Sequence, residues 1–207
     1  MMADQVDKQT TAQLTQELGD AVEHLRRGGV VLHATEGVWG FACDPLQPEA
    51  LAKLFALKNR DQTKGLILIG ATEAEFRLHL RGLDHVAQVR STWPGAHTWI
   101  LPNRDRFSST VTGGRDTVAC RVPGHEQARQ MCALFGGVLV STSANLSGEV
   151  PVLTYAQAQQ QFAGQVDCIV AGEVLTPGVP STIHGLDGSI LRGTGATSNP
   201  RQEQSGV

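Results

Sequence analysis

Two short stretches of this chain carry residue types that can hold a polyanion. The first, KNRDQTK, sets Lys58, Arg60 and Lys64 close together between a predicted helix and a predicted strand. Lysine supplies a point charge and arginine a planar fork, so cations at i and i+2 past a helix end can converge on phosphate oxygens. On the fragment alone, a solvated basic turn that complements the helix C-terminus is the better account. The second stretch, VLVSTSANLSGEVP, runs from a buried strand pattern straight into Ser141, Thr142, Ser143, Asn145 and Ser147, with Gly148 permitting close backbone approach. Hydroxyls, an amide and turn N–H groups make a neutral cradle for phosphate oxygens or a hydrated cation. A turn that caps the next element is the plainer alternative.

Several other chemistries lack their residues. There is no GxxxxGK[ST] loop and no GxGxxG fingerprint, so a nucleotide would have to be held in a less familiar way. Without a GxSxG elbow, serine-nucleophile hydrolysis has little support. Cys43, Cys120, Cys132 and Cys168 form no CxxC pair and the histidines no HExxH, so a metal site built by the protein is not expected. The first three cysteines lie in apolar contexts, where a thiol behaves as a small hydrophobe.

The elements that must position these groups follow from periodicity. Leu14, Leu18, Ala21, Val22 and Leu25 recur at helical spacing over residues 11–27, ended by Gly28 and Gly29. VVLHA reads as a strand that ends in a glycine-bearing loop from Thr35 to Pro45. A helix from Pro48 to Leu57 and the strand GLILIG follow. Thr72 and Glu75 form a capping-box pattern for a helix over TEAEFRLHL, and a further helical segment spans Leu83 to about Ser91. HTWILP and TVACRVP are predicted strands separated by a polar stretch, residues 103–116, that reads as a mobile loop. HEQARQMCALF and TYAQAQQQF are predicted helices; VLVST, VDCIVAG, PSTIHG and SILRG are predicted strands. The alternation with late short turns predicts an α/β fold: an open mixed parallel and antiparallel sheet with helices packed on it, ligands gathering where strands end in loops.

With 207 residues, 41% hydrophobic and 18% charged, the chain is expected to fold as one domain over 1–207, the last part, 193–207, forming a flexible tail. A net charge of −3 argues against coating nucleic acid by bulk charge, so an RNA partner would be met locally. No run approaches the roughly 20 apolar residues of a membrane span and no leader pattern opens the chain, so a cytoplasmic protein without membrane attachment is expected.

In chain order, HATEGVWGFACDP, KNRDQTKGLILI, WPGAHTWILP, VACRVPGH, STSANLSG, PSTI and ILRGTGA resemble the blocks of the YrdC-like threonylcarbamoyl-AMP synthases, from about Val30 to Ala196. The KxR followed far downstream by SxN that distinguishes the family is present as Lys58, Arg60, Ser143 and Asn145. The resemblance implies a twisted sheet with a concave, positively charged cavity, in the short single-domain bacterial form. It implies synthesis of threonylcarbamoyl-AMP from ATP, L-threonine and bicarbonate or CO2, with pyrophosphate released and Mg2+ accompanying ATP. A partner transferase complex would then pass the group to adenosine 37 of tRNAs reading ANN codons.

By the same resemblance, Lys58, Arg60, Ser143 and Asn145 are the catalytic and ATP-binding set, joined by Arg192 on the triphosphate; Thr35, Arg121, Ser141 and Ser181 take threonine. Thr35 could instead cap its turn, and Arg121 could form a surface ion pair. The chain departs from the family pattern with ATE in place of PTE, Trp39 in place of tyrosine and Gly65 in place of a common proline. Trp39 reads equally as a core aromatic or a ligand contact. Lys58 and Arg60 are expected to be exposed cations, whose loss would cost activity but not folding. The competing class is a non-catalytic tRNA or double-stranded-RNA-binding factor, though there is no RNP aromatic motif.

Overall fold

The computed structural model of the chain describes residues 2–80 and 87–193. Nine strands form one mixed sheet with the order β7-β1-β2-β6-β3-β5-β4-β8-β9, where β1 is Val31–Ala34, β2 Trp39–Cys43, β3 Ile67–Ile69, β4 His97–Pro102, β5 Thr117–Arg121, β6 Leu139–Ser143, β7 Cys168–Ile169, β8 Thr182–His184 and β9 Ile190–Arg192. The pairs β1/β7, β3/β5 and β4/β8 are parallel and the rest antiparallel, so the expected mixed sheet is what forms.

Side chains alternate across a sheet, so the pairing register sorts them onto two faces. One face carries Leu32, Trp39, Phe41, Leu68, Val118, Cys120, Val140 and Trp99, all buried. It packs against helix α2 (Pro48–Lys58) through Leu51, Leu54 and Phe55, and against α7 (Tyr155–Phe162) through Ala158 and Phe162. The other face is divided. Val31, Ala42, Ile69 and Leu139 are covered by α1 (Met2–Arg26) and α6 (Glu126–Phe135), with Leu18, Val22, Leu25 and Met131 filling the layer. Beyond that patch the same face presents His33, Ser141, Ser143, Ala119, Arg121, Thr98, Ile100 and Ile183. The site is built there.

Local chemistry explains the element ends. Pro48 opens α2, and Asn59 closes it at φ 45°, a left-handed conformation that asparagine tolerates. Thr154 and Gln157 form a reciprocal capping box on α7.

Three readings are corrected. WGFAC, read as loop, is the strand β2; it is buried along its length, and Gly40 sits where a Cβ would crowd Ser141 Oγ at 3.1 Å. At α3 (Glu73–Arg77) the reciprocal capping box does not form: Glu75 Oε2 accepts from Ala71 N, just before the N-cap, at 2.7 Å while the Thr72 side chain caps nothing, and the helix ends well before Leu80. The stretch 103–116 is not a free polar loop. Phe107, Val111 and Thr112 are buried, α5 (Ser109–Thr112) forms within it, and Leu66 N donates to Val111 O at 2.8 Å. The helix foreseen from Leu83 lies partly outside the described residues, and α4 spans Ala87–Thr92. Beyond Gly193 the expected tail also lies outside them.

The apolar layer sets the stability. Phe41 is fully buried and meets Phe162 edge-on with ring centroids 4.9 Å apart. Phe41→Ala is expected to cost about 3–5 kcal/mol in urea unfolding, because the cavity sits between the sheet and α7, where the rigid sheet cannot collapse into it.

Candidate active site

The two polar stretches meet. Lys58, the last residue of α2, donates from Nζ to Ser143 O, to Asn145 O at 2.9 Å and to Asn145 Oδ1 at 3.2 Å. Ser143 Oγ donates to the same Oδ1 at 2.6 Å, and Asn145 Nδ2 donates to Leu146 O and Glu149 O, each at 2.8 Å. Ser147 N donates to Lys58 O at 2.9 Å. This is why an apolar strand runs into so many polar groups: they satisfy one another and one imported ammonium, so the bend keeps a single shape. Lys58 is 1% exposed, which overturns the expectation of a solvated cation. Burial first, and then the charge of Arg60, push its pKa down to about 8. The three oxygens around Nζ favour the charged form.

Next to this bracket lies a hollow of about 390 Å³ on the uncovered part of the sheet. Its floor is apolar, from Ile67, Ile100, Ala119 and Ile183, and Arg60, Lys64, Arg115 and Arg192 line it. No acidic side chain lines it among the described residues. Arg60 Nη2 donates to Gly65 O at 3.0 Å, while its buried Nε has no partner among the described residues. Burial lowers the Arg60 pKa, with Arg192 adding to the effect, and burial and Arg192 do the same to Arg121 against the raising effect of Glu36. Arg192 lines the hollow together with Arg60. A larger hollow of about 910 Å³, beside α1 and α7, is lined by Glu17 and Glu173 and by no cation, which suits a polyanion poorly.

The remaining candidates gather on the same face. Arg121, at the end of β5, is buried rather than forming a surface ion pair; its Nη1 lies 3.5 Å from Glu36 Oε2. Ser181 Oγ and Thr98 Oγ1 are 3.0 Å apart, and Arg192 Nη2 reaches Ser181 O at 3.5 Å. Ser141 Oγ lies 3.3 Å from His33 Nε2. His33 Nδ1 is 3.0 Å from Ala34 O, which can only accept, so Nδ1 carries the hydrogen and Nε2 accepts from Ser141. Thr35 Oγ1 donates to Val38 O at 2.7 Å and so caps its own turn. Trp39 lies on the opposite face, buried in the core with its ring 5.8 Å from Tyr155, and does not reach the hollow.

Glu36, His33 and Arg115 escaped the sequence reading. Glu36 stood in plain view beside Thr35, an acid in an otherwise apolar loop. His33 pairs with Gly40 across β1 and β2, and its role depended on the missed strand. Arg115 was hidden in a stretch taken for a mobile loop. Among the described residues no group of three or more His, Cys, Asp or Glu side chains could hold a metal ion.

An open mixed sheet with one face half covered by helices, and cationic and hydroxyl side chains on the rest, defines a class: α/β proteins that take ligands on a bare sheet face beside strand ends. Within that class the chain belongs to the Sua5/YciO/YrdC family, whose model, described as "Telomere recombination", matches residues 23–193. It is 42% identical over 175 residues to a threonylcarbamoyl-AMP synthase of Halorhodospira halophila, covering 83% of this chain and 92% of that protein. Its fold matches P. abyssi Sua5 complexed with L-threonine with a TM-score of 0.78 and 28% identity, covering 86% of this chain and 54% of the other. The chain thus spans about half the length of that Sua5. E. coli YciO shares the fold at a TM-score of 0.73 and 22% identity, over 83% of this chain and 84% of YciO.

Two outcomes follow from the geometry. Lys58→Ala strands three oxygens and should lower stability by about 3 kcal/mol or more, whereas Arg60→Ala, which forfeits one hydrogen bond, should cost about 1 kcal/mol; urea unfolding of both variants checks the contrast. Burial, with smaller contributions from His125 and Arg121, pushes the His33 pKa down to about 3 from 6.5. Between those values the unfolded chain binds the extra proton, so stability rises with pH across that window and falls on acidification, by up to about 1.4 kcal/mol per pH unit. His33→Gln should flatten the dependence of Tm on pH between about pH 6 and pH 4.

Proposed function

We propose that this chain is a nucleotidyltransferase that makes threonylcarbamoyl-AMP from L-threonine, bicarbonate or CO2, and ATP, releasing pyrophosphate. The observation that carries the reading is the buried Arg121 fork, its Nε without a partner among the described residues, on the same sheet face as the hollow that Arg60 and Arg192 line. An arginine fork matches a carboxylate, and clustered cations without an acid match a polyphosphate. The relatives named threonylcarbamoyl-AMP synthase and the threonine complex of Sua5 support the same assignment.

In this reading Arg121 binds the threonine carboxylate and the Ser181, Thr98 and Ser141 hydroxyls read the rest of the amino acid. The threonine amine adds to CO2 with loss of a proton; a carbamate oxygen then attacks the α-phosphorus and pyrophosphate departs. Such chemistry depends on positioning and on neutralising charge. Arg60, Lys64, Arg115 and Arg192 do the neutralising along the triphosphate. Ser143 Oγ and the backbone of the bend line the α-phosphate end, with Lys58 and Asn145 holding that bend in shape.

Magnesium accompanies ATP, but Ser143 and Asn145 do not suit it as direct ligands: their carbonyls and Asn145 Oδ1 already receive the Lys58 ammonium. The product would serve a transferase complex that modifies adenosine 37 of tRNAs reading ANN codons, in the cytoplasm. Among the described residues no helix is long and apolar enough to cross a membrane.

Incubation with ATP, bicarbonate and threonine should release pyrophosphate only when threonine is present; a protein that merely binds RNA releases none. Arg121→Lys replaces a fork by a point charge and should raise the KM for threonine about tenfold or more, with the KM for ATP changed far less.

A further inference from the structure

Opposite charges meet at the end of β5 without satisfying each other. The Glu36 and Arg121 side chains are 9% and 10% exposed, and Nη1 and Oε2 stand 3.5 Å apart. That is within ion-pair range but too long for a well-formed hydrogen bond. Glu36 Oε2 and Arg121 Nε are both buried without a hydrogen-bond partner among the described residues. The acid is not free to swing toward the base. Its Oε1 accepts from Gly124 N at 2.6 Å, and its backbone carbonyl accepts from Leu175 N at 2.8 Å and Thr176 N at 2.7 Å. Gly37, the next residue, is pressed under the same segment, since a Cβ there would lie 1.9 Å from Val179 O.

A desolvated carboxylate oxygen and a desolvated guanidinium N–H, both left open and held apart by the backbone, are costly to a fold and are retained where a ligand supplies the missing partners. The ligand must bring a positive donor to Glu36 and a negative acceptor to Arg121 within one small group. A free α-amino acid does this, because bond geometry sets its ammonium and carboxylate about 3 Å apart.

We infer that Glu36 binds the ammonium group of threonine, so that Glu36 and Arg121 together clamp the two charged ends of a zwitterionic amino acid. The inference rests on the threonine reading above and adds to it a residue and a selection rule: the amine must arrive free and charged. Compounds with the carboxylate but no amine fill half the clamp and leave Glu36 uncompensated. When the nitrogen becomes a carbamate it loses its positive charge and with it the attraction to Glu36, while Arg121 keeps the carboxylate. The carbamate end is thereby released toward the cations of the hollow.

Titration calorimetry with three probes tests this: L-threonine, threoninol, which keeps the amine and lacks the carboxylate, and 3-hydroxybutanoate, which keeps the carboxylate and lacks the amine. Glu36→Gln preserves shape and the contact with Gly124 N. It should weaken threonine and threoninol about tenfold to a hundredfold and leave 3-hydroxybutanoate, measured by competition, within about twofold of the wild type. Equal weakening of 3-hydroxybutanoate would mean that Glu36 only props Arg121, and undiminished threonine binding would mean that it does neither; each overturns the inference. The wild type supplies a test without any variant: threonine should bind about tenfold or more tighter than 3-hydroxybutanoate, and parity, or no threonine binding, overturns it. The expected binding pattern without threonine-dependent pyrophosphate release leaves the clamp standing and removes the synthase reading.

Discussion

One ammonium group, spent on three oxygens of a bend far away in the chain, is the interaction from which the site takes its shape. Lys58 closes α2, and the bend it grips closes β6, so the bond fixes a helix end from one core layer against a strand end in the middle of the sheet. A buried charge is tolerable only when its hydrogen-bond partners come with it. Two backbone carbonyls and the Asn145 amide oxygen meet that demand, with Ser143 Oγ holding the amide in place. The bend is thereby held in shape by bonds within the protein itself.

A second constraint is the division of one sheet face. α1 and α6 cover the patch around Ile69 and Leu139 and stop. The bare remainder has half-buried apolar side chains as its floor and like charges at its rim. Gathering Arg60, Lys64, Arg115 and Arg192 around one hollow costs free energy, which the polyanion proposed above would recover. The opposite face holds the protein together with a continuous apolar layer.

Much of this was legible as residue type and order. Neither polar stretch was decisive by itself; Lys58, Arg60, Ser143 and Asn145 stood out as the KxR and SxN of an ordered series of motif blocks, which identified the family. What periodicity did not reveal was proximity and burial. Lysine is normally a surface residue, so nothing local marked Lys58 as buried; its partners come from another strand. β2 was missed because a strand buried on both faces shows no alternation, and its glycine, packed close to Ser141 Oγ of the neighbouring strand, reads as a turn signal. Thr35 and Trp39 were left with two readings each: Trp39 proves to be a core aromatic, and Thr35 caps its turn by donating to Val38 O, which leaves its lone pairs for a ligand.

The strand order has a consequence for how the molecule comes into being. β1 pairs with β7, β2 with β6 and β4 with β8, so neighbours in the sheet are remote along the polypeptide. Ser181 and Arg192 sit on or beside β8 and β9, the last strands among the described residues. High contact order slows folding, because long loops must close before their contacts stabilise anything. A nascent chain holding everything up to β7 lacks Ser181, Ile183 and Arg192, and the polar sheet face is completed only when that segment pairs with β4.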